Sequence, residues 1–402
     1  MVCIVVHYSE IGTKGKNREQ FENLLVRNIR YILRGDAKRI YKRYGKIVCE
    51  VTKETCIKTL ARVPGIANIA IAEKAKLNIE DIKKTALSVA KRHKFKDFKV
   101  EASRSNKGFE LDSMEINRRV GSYIGEQFNA KVKLKQPELT IYIEVGEREA
   151  FVYTEKLKGI GGLPVGASGR VVCSLSGGID SPVAGFMMMK RGCEVIFVHM
   201  LNETLSKSSV EQKIRQIVKQ LAAFQGRTKL YLVPFGEIQK EIIMNVPSKL
   251  RMIAYRRFMM RILSRIAEEE GAKAIVTGDS VGQVASQTLE NLEVIFNAST
   301  KLVLSPLIGL NKQEIIEISK DIGTYEFSIQ PSPDCCSYMI AQHPATKSNM
   351  ALVEGVERNI KAIKELVEAA VKNSKRELVE MGEVNNHGCL LYTSDAARRR
   401  RR

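Results

Sequence analysis

Three parts of this chain carry residue types whose spacing could do chemistry. In the first, Ser176-Gly177-Gly178-Ile179-Asp180-Ser181 follows an apolar, β-branched run at 171–175 and precedes Pro182 and an apolar helical stretch at 183–191. Strand, tight turn and helix in that order leave turn and helix-start N–H groups unpaired, which favours a bound phosphate or sulfate. Ser181 is the expected N-cap and Pro182 the expected first helical residue, where a missing N–H costs nothing. Two glycines let the backbone approach a ligand closely. No Gly-Lys-Ser/Thr follows, so this is not a Walker A loop. Taken alone, a Gly-Gly turn before a helix is as often an ordinary connector.

The second part is a pair of loops. Gly278-Asp279-Ser280-Val281-Gly282-Gln283 and Val284-Ala285-Ser286-Gln287 join a strand end to a helix, with small residues and amides that suit an adenosine pocket. Lys312 stands in the first turn of the helix after Gly309, where the macrodipole disfavours a cation unless an anion is bound; an exposed lysine is the plain alternative. The third part is Pro331-Ser332-Pro333-Asp334-Cys335-Cys336. A stiff, proline-flanked loop is an unusual place for core cysteines, no Cys-x-x-Cys occurs in the chain, and adjacent cysteines close only a strained ring. A nucleophilic or sulfur-carrying thiol is the best reading.

The bulk numbers narrow the setting. At 402 residues the chain holds two or three domains, and its net charge of +20 points to a polyanionic partner, nucleic acid by default, or to a solvated basic surface. Only five of the excess charges belong to the terminal arginine run. No apolar run reaches membrane-spanning length, no signal peptide precedes the strand-like start at Met1, and the eight scattered cysteines suit a reducing cytoplasm.

The elements that must position these groups follow from periodicity. The pattern over residues 1–76 is βαββαβ, a ferredoxin-like order, with strands at 2–8, 40–44, 47–51 and 66–73 and helices at 18–33 and 53–63. Its loop carries Lys14, Lys16 and Arg18, able to meet a phosphate backbone or only solvent. Residues 77–158 read as a second small α+β unit, rich in basic residues that include Arg104, Lys107, Arg118 and Arg119. Interleaved with Phe95, Phe98 and Phe109, they suit backbone and base-stacking contacts to RNA. A glycine-rich connector at 159–170 leads into a third unit at 171–388. There, strands at 171–175, 195–199, 230–234, 274–277 and 302–304 alternate with helices, which implies a doubly wound parallel sheet with ligands at the strands' carboxyl ends. Residues 351–381 read as one terminal helix. The tail 389–402 fits no periodicity and is set aside as non-native.

The turn at 176–181 resembles the PP-loop of ATP pyrophosphatases, and the motifs together resemble the tRNA 4-thiouridine synthetase family, tRNA sulfurtransferases with a THUMP domain. The resemblance runs from Lys14-Gly15-Lys16-Asn17-Arg18 through the THUMP-like unit to Asp334-Cys335-Cys336, including Gly161-Gly162-Leu163-Pro164-Val165-Gly166 and Gly323-Thr324-Tyr325-Glu326. It implies nucleotide contacts at Ser174, Leu175, His199, Met200, Arg256, Gly278 and Gln287, beside the loop residues Ser176, Gly177, Gly178 and Ser181. Asp180 becomes the essential loop carboxylate, Lys312 the domain's functional lysine and Cys336 the sulfur-transferring thiol. ATP and Mg2+ are the implied cofactors, tRNA and a cysteine desulfurase or other persulfide donor the implied partners, and a homodimer stays open.

Three departures qualify the resemblance. The chain is too short for the rhodanese domain of some members, so persulfide comes directly from a donor and a role in thiazole synthesis is doubtful. Met252 and Tyr255 stand where iron–sulfur-dependent relatives carry Cys-x-x-Cys, so no cluster and no metal site is expected. His199-Met200-Leu201 is poorer in histidine than that strand end elsewhere. The alternatives are another PP-loop enzyme, making 2-thiouridine or adenylating a small molecule, and a non-catalytic tRNA-binding module.

Overall fold

The expected βαββαβ order opens the chain: β1 (Val2–His7), α1 (Arg18–Leu33), β2 (Ala37–Arg43), β3 (Lys46–Val51), α2 (Cys56–Ala61) and β4 (Asn68–Ala75). The computed structural model describes residues 1–8, 10–202, 208–331 and 344–382. Helix α1 buries Leu25, Ile29, Ile32 and Leu33, one stripe at helical spacing. Then come α3 (Ile79–Ala90), β5 (Asp97–Arg104), α4 (Ser113–Phe128), β6 (Lys131–Val132), β7 (Leu139–Val145), β8 (Ala150–Tyr153) and β9 (Leu157–Lys158). The α3 start is capped as its sequence demands, with Asn78 Oδ1 accepting from the Asp81 N–H at 2.7 Å.

One strand joins these two modules. The first part of β4 pairs with β1 and its last three residues, Glu73–Ala75, pair with β8, both antiparallel. The result is a nine-stranded sheet in the order β2-β3-β1-β4-β8-β7-β5-β6, with β9 added beside β4. Side chains close the same seam. Glu144 on β7 is approached by His7 of β1 at 2.7 Å, by Tyr153 of β8 at 2.5 Å and by Lys46 of β3. This unit spans Met1–Pro164.

The second compact unit starts at Val165. It contains β10 (Arg170–Ser174), α5 (Asp180–Lys190), β11 (Glu194–Leu201), α6 (Ser208–Gln225), β12 (Arg227–Pro234), α7 (Gly236–Asn245), α8 (Arg251–Glu269) and β13 (Ala274–Val276). It continues with α9 (Leu289–Phe296), β14 (Leu302–Leu304), α10 (Lys312–Asp321), α11 (Tyr325–Ser328), α12 (Met350–Glu357), α13 (Ile363–Lys372) and β15 (Lys375–Glu380). Five parallel strands and one antiparallel edge strand lie in the order β14-β13-β10-β11-β12-β15. Apolar central strands covered on both faces make this the expected α/β domain.

The reading of 351–381 as a single helix is corrected: it holds two helices and the edge strand β15. The charged run Lys375-Arg376-Glu377 has helix-forming residues, but pairing along β12 wins. Ion pairs hold it there, Glu377 with Arg215 at 2.8 Å and Arg376 with Glu269 at 3.0 Å. Its charges also blunt an exposed sheet edge.

Candidate active site

The carboxyl ends of β10, β11 and β13 open into a cavity of about 520 Å3. Ser174, Leu175, Ser176, Asp180, Ser181, His199, Met200, Arg256, Gly278 and Gln287 all line it, so ten residues marked in the sequence meet in one place. Gly177 and Gly178 belong to the same turn. The turn is built differently from expectation. Helix α5 begins at Asp180 with Ile179 at the cap position, and Pro182 is the third helical residue, still inside the turn that needs no N–H. Ser181 is not the cap, because its hydroxyl folds back to accept from the Ser176 N–H at 2.8 Å. The Ser176 hydroxyl in turn accepts from the Gly178 N–H at 3.3 Å. These bonds hold the loop open at the helix start.

Asp180, in the first turn of α5, receives two donors from distant segments. Lys312 Nζ lies 2.5 Å from Oδ1 and Gln283 Nε2 lies 2.8 Å from Oδ2. Lys312 starts α10 behind a capping box, Asn311 accepting from the Glu314 N–H and Glu314 from the Asn311 N–H. In this structure the carboxylate supplies the anion that a first-turn lysine needs. The 278–287 loop delivers Gln283, and it is pinned to the α10 approach by Ser280 Oγ donating to Leu310 O at 3.0 Å. Gly278 is a steric requirement, since a Cβ there would lie 2.8 Å from the Ser181 backbone nitrogen.

Deeper in the cavity, Asp279 is 3% exposed and accepts both bonds of Arg256 Nη2, at 2.7 and 2.8 Å, and one from Gln287 Nε2 at 3.0 Å. Because a carboxylate only accepts, this contact fixes the Gln287 amide with Nε2 toward Asp279. Gln287 Oε1 is left buried without a partner among the described residues, an acceptor suited to a nucleotide donor. His199 Nδ1 faces the Leu175 carbonyl at 2.9 Å, so that nitrogen carries the proton. Asp279 and Gln283 were not singled out from the sequence, although both stand inside the 278–287 loop.

Cys335 and Cys336 lie outside the described residues. Burial pushes the Cys3 and Cys49 thiols up to about 12 and raises those of Cys56, Cys173 and Cys193. None of these five is a ready nucleophile at neutral pH. No cluster of three or more His, Cys, Asp or Glu side chains suited to a metal ion occurs among the described residues.

The basic residues of the N-terminal unit divide. Lys16 and Lys107 are exposed. Lys14 lies over the Phe21 ring, and Arg18 is held by Glu22 at 2.8 Å and by the Tyr8 hydroxyl at 2.9 Å. Arg104 bonds the carbonyls of Lys107, Phe109 and Leu111, which folds its own loop, while Arg118 and Arg119 pair with Glu115. Phe98 and Phe109 are buried in the core of this module, so the expected stacking role for them is corrected, while Phe95 is half-buried and packs against that core. Tyr44, 71% exposed at the β2–β3 turn beneath the Arg18 guanidinium, is the aromatic that the sequence reading overlooked.

Fold and site together define a PP-loop nucleotide domain in a chain that also carries ferredoxin-like and THUMP modules. Residues 166–362 match the family model described as Thiamine biosynthesis protein (ThiI), 76–155 the THUMP domain and 3–70 the ThiI ferredoxin-like domain. A probable tRNA sulfurtransferase of Caldanaerobacter subterraneus subsp. tengcongensis is 42% identical over 354 residues, 87% of this chain and 93% of that one. A second, from Moorella thermoacetica, is 40% identical over 92% of this chain and 96% of its own length. A 4-thiouridine synthetase solved in complex with RNA and bound ATP superposes with a TM-score of 0.88 at 36% identity, covering 94% of this chain and all of that one. PH1313 from Pyrococcus horikoshii matches with a TM-score of 0.65 at 30% identity over 80% of this chain and all of its own. The chain belongs to the tRNA sulfurtransferase family.

Proposed function

We propose that this protein is an ATP-dependent tRNA sulfurtransferase that converts a uridine of tRNA, position 8 in the family, to 4-thiouridine. The observation that carries the reading is that Ser176, Ser181 and Asp180, the last bonded to Lys312, line the same cavity as Arg256, Asp279 and Gln287. In the first step the uridine O4 attacks the α-phosphorus of ATP and pyrophosphate leaves. Loop N–H groups and Lys312 stabilise the departing charge, an electrostatic task of the kind worth about 3–4 kcal/mol per well-aimed donor. Adenylation turns a poor leaving group at C4 into AMP.

In the second step the terminal sulfur of a persulfide on Cys336 attacks C4 and expels AMP. A second thiol, from Cys335 or from solution, then attacks the Cys336 sulfur, leaving the thiocarbonyl on the uridine and a disulfide on the protein. In the other order the same thiol first releases sulfide from the persulfide, with the same disulfide formed, and the sulfide displaces AMP at C4. The donor set also suits Mg2+, which takes one or two carboxylates with waters and phosphate oxygens, and Asp180 is the carboxylate at the loop. When bound, Mg2+ would neutralise triphosphate charge.

The ferredoxin-like and THUMP modules, over 1–76 and 77–158, would hold the tRNA through exposed cations such as Lys16 and Lys107. Persulfide would come from a cysteine desulfurase or another donor in a reducing cytoplasm. Among the described residues no helix is long and apolar enough to cross a membrane. Incubation of unmodified tRNA with the protein, ATP and a persulfide donor tests the reading. AMP and pyrophosphate should accumulate in step with thiolated tRNA, and pyrophosphate formed without modified tRNA would contradict it.

A further inference from the structure

The stretch bearing Cys335 and Cys336 is bounded by Pro331 and Pro344, and on both sides the chain is tied down by a buried polar side chain that the reaction above does not use. On the N-terminal side Lys213 of α6 is 6% exposed, and its ammonium donates to the carbonyls of Ser328 at 3.0 Å and Gln330 at 2.8 Å. An ammonium is costly to bury unless such oxygens replace its water. On the C-terminal side Asn291 of α9 is fully buried. Its amide nitrogen donates to Ala285 O at 2.8 Å and Ala345 O at 2.9 Å, and its Oδ1 accepts from the Ser348 N–H at 3.0 Å and the Ser348 hydroxyl at 2.6 Å. Both donors and both acceptor sites of the carboxamide are used.

Two more bonds fix the same segment, Thr288 Oγ1 donating to Thr346 O at 2.6 Å and the Ala345 N–H donating to Lys249 O at 3.1 Å. Ala285 and Ala345 both line the nucleotide cavity. Asn291 therefore clips one cavity wall to the other, immediately after the cysteine-bearing stretch.

We propose that Lys213 and Asn291 are positioning residues for the sulfur-transfer half of the reaction, fixing the two ends of the cysteine-bearing stretch, one of them on the cavity wall. The proposal rests on the reading of Cys336 as the sulfur carrier. Cys336 stands eight positions before Pro344 in the sequence, a span of at most about 29 Å when extended. Anchored ends set an upper limit on how far this length of chain can carry a thiol from the cavity wall, and releasing either end would dilute the persulfide relative to the adenylated uridine. Adenylation itself does not use the thiol.

The test uses full-length Lys213→Met and Asn291→Ala proteins beside the wild type, with unmodified tRNA, ATP and one persulfide donor. For Lys213→Met, pyrophosphate release and the KM for ATP should stay within about threefold of wild type while 4-thiouridine formed per pyrophosphate falls about tenfold or more. Asn291→Ala, which also loosens a wall of the nucleotide cavity, should show the same fall in that ratio even where its KM for ATP rises. A general loss of structure would lower both products together and leave their ratio unchanged. That outcome, or an unchanged ratio with full activity in both variants, overturns the proposal. Ser348→Ala removes a single hydroxyl from the clamp and decides the question if a larger change does not fold, with an expected fall in the ratio of about threefold. Wild-type protein that releases pyrophosphate but makes no 4-thiouridine overturns the functional reading instead.

Discussion

Lys312 Nζ lies 2.5 Å from Asp180 Oδ1, although 132 positions separate the two residues in the chain. Each stands in the first turn of a helix, one bringing a carboxylate and the other a cation to the same loop. Without nucleotide they neutralise one another. Under the proposed function an incoming triphosphate would offer the lysine a stronger anion and free the carboxylate for Mg2+.

Asp180→Ala should therefore abolish pyrophosphate release, by about a hundredfold or more. Affinity for tRNA should stay within a few-fold, because the exposed cations that would contact RNA belong to the other unit. Pyrophosphate assay and a tRNA filter-binding titration read the two effects. Undiminished turnover would remove Asp180 from the chemistry.

Gly278→Ala probes the contact between the two loops. A Cβ placed 2.8 Å from the Ser181 nitrogen must push α5 away from β13. Overpacking of this kind costs about 1–3 kcal/mol in stability. The expected result is a modest fall in Tm and a fall of about tenfold or more in pyrophosphate release, with the KM for ATP raised.

The N-terminal sheet carries its own test. Burial would raise the Glu144 carboxyl, but the His7 hydrogen bond and the charges of His7 and Lys46 outweigh it and hold the group far below its usual value of 4.5. A carboxyl depressed in the folded state contributes stability that is fully present above its unfolded pKa and is lost as pH falls toward the folded one. Glu144→Gln should cost about 3 kcal/mol at pH 7 by leaving Lys46 half-paired. The gap between wild type and variant should narrow as pH drops below about 4.5. Thermal unfolding at neutral and acid pH measures this, and a gap independent of pH would show that the network is not ionised as drawn.

Much of the site was legible in the sequence because its parts are local. The strand–turn–helix at 171–191 and the small residues of 278–287 declare themselves in consecutive positions, and the parallel pairing of the sheet follows from the alternation of strands and helices. What could not be read were relations between distant residues. Nothing near Asp279 says that Arg256 and Gln287 will meet on it, and Gln283 reaches Asp180 across 103 positions. Strand β15 was hidden because Lys375, Arg376 and Glu377 carry helix propensity and are drawn into a strand by pairing along β12. Phe98 and Phe109 misled for the opposite reason, since basic neighbours say nothing about whether a ring faces core or solvent.

For the paired cysteines, Cys336→Ser should stop thiolation while ATP-dependent adenylation survives, because the thiol is needed only after the leaving group exists. Cys335→Ser should be milder. Single-turnover reactions with persulfide-loaded protein separate the two, and the reverse ranking would move the sulfur carrier to Cys335.

Nucleoside analysis of the tRNA tests the central claim most directly. Unmodified tRNA incubated with the protein, ATP, Mg2+ and a persulfide donor is digested to nucleosides and resolved by liquid chromatography and mass spectrometry. The account predicts one new nucleoside, 4-thiouridine, that is missing when ATP is withheld. Appearance of 2-thiouridine in its place, or no thiolated nucleoside while ATP is consumed, would contradict it.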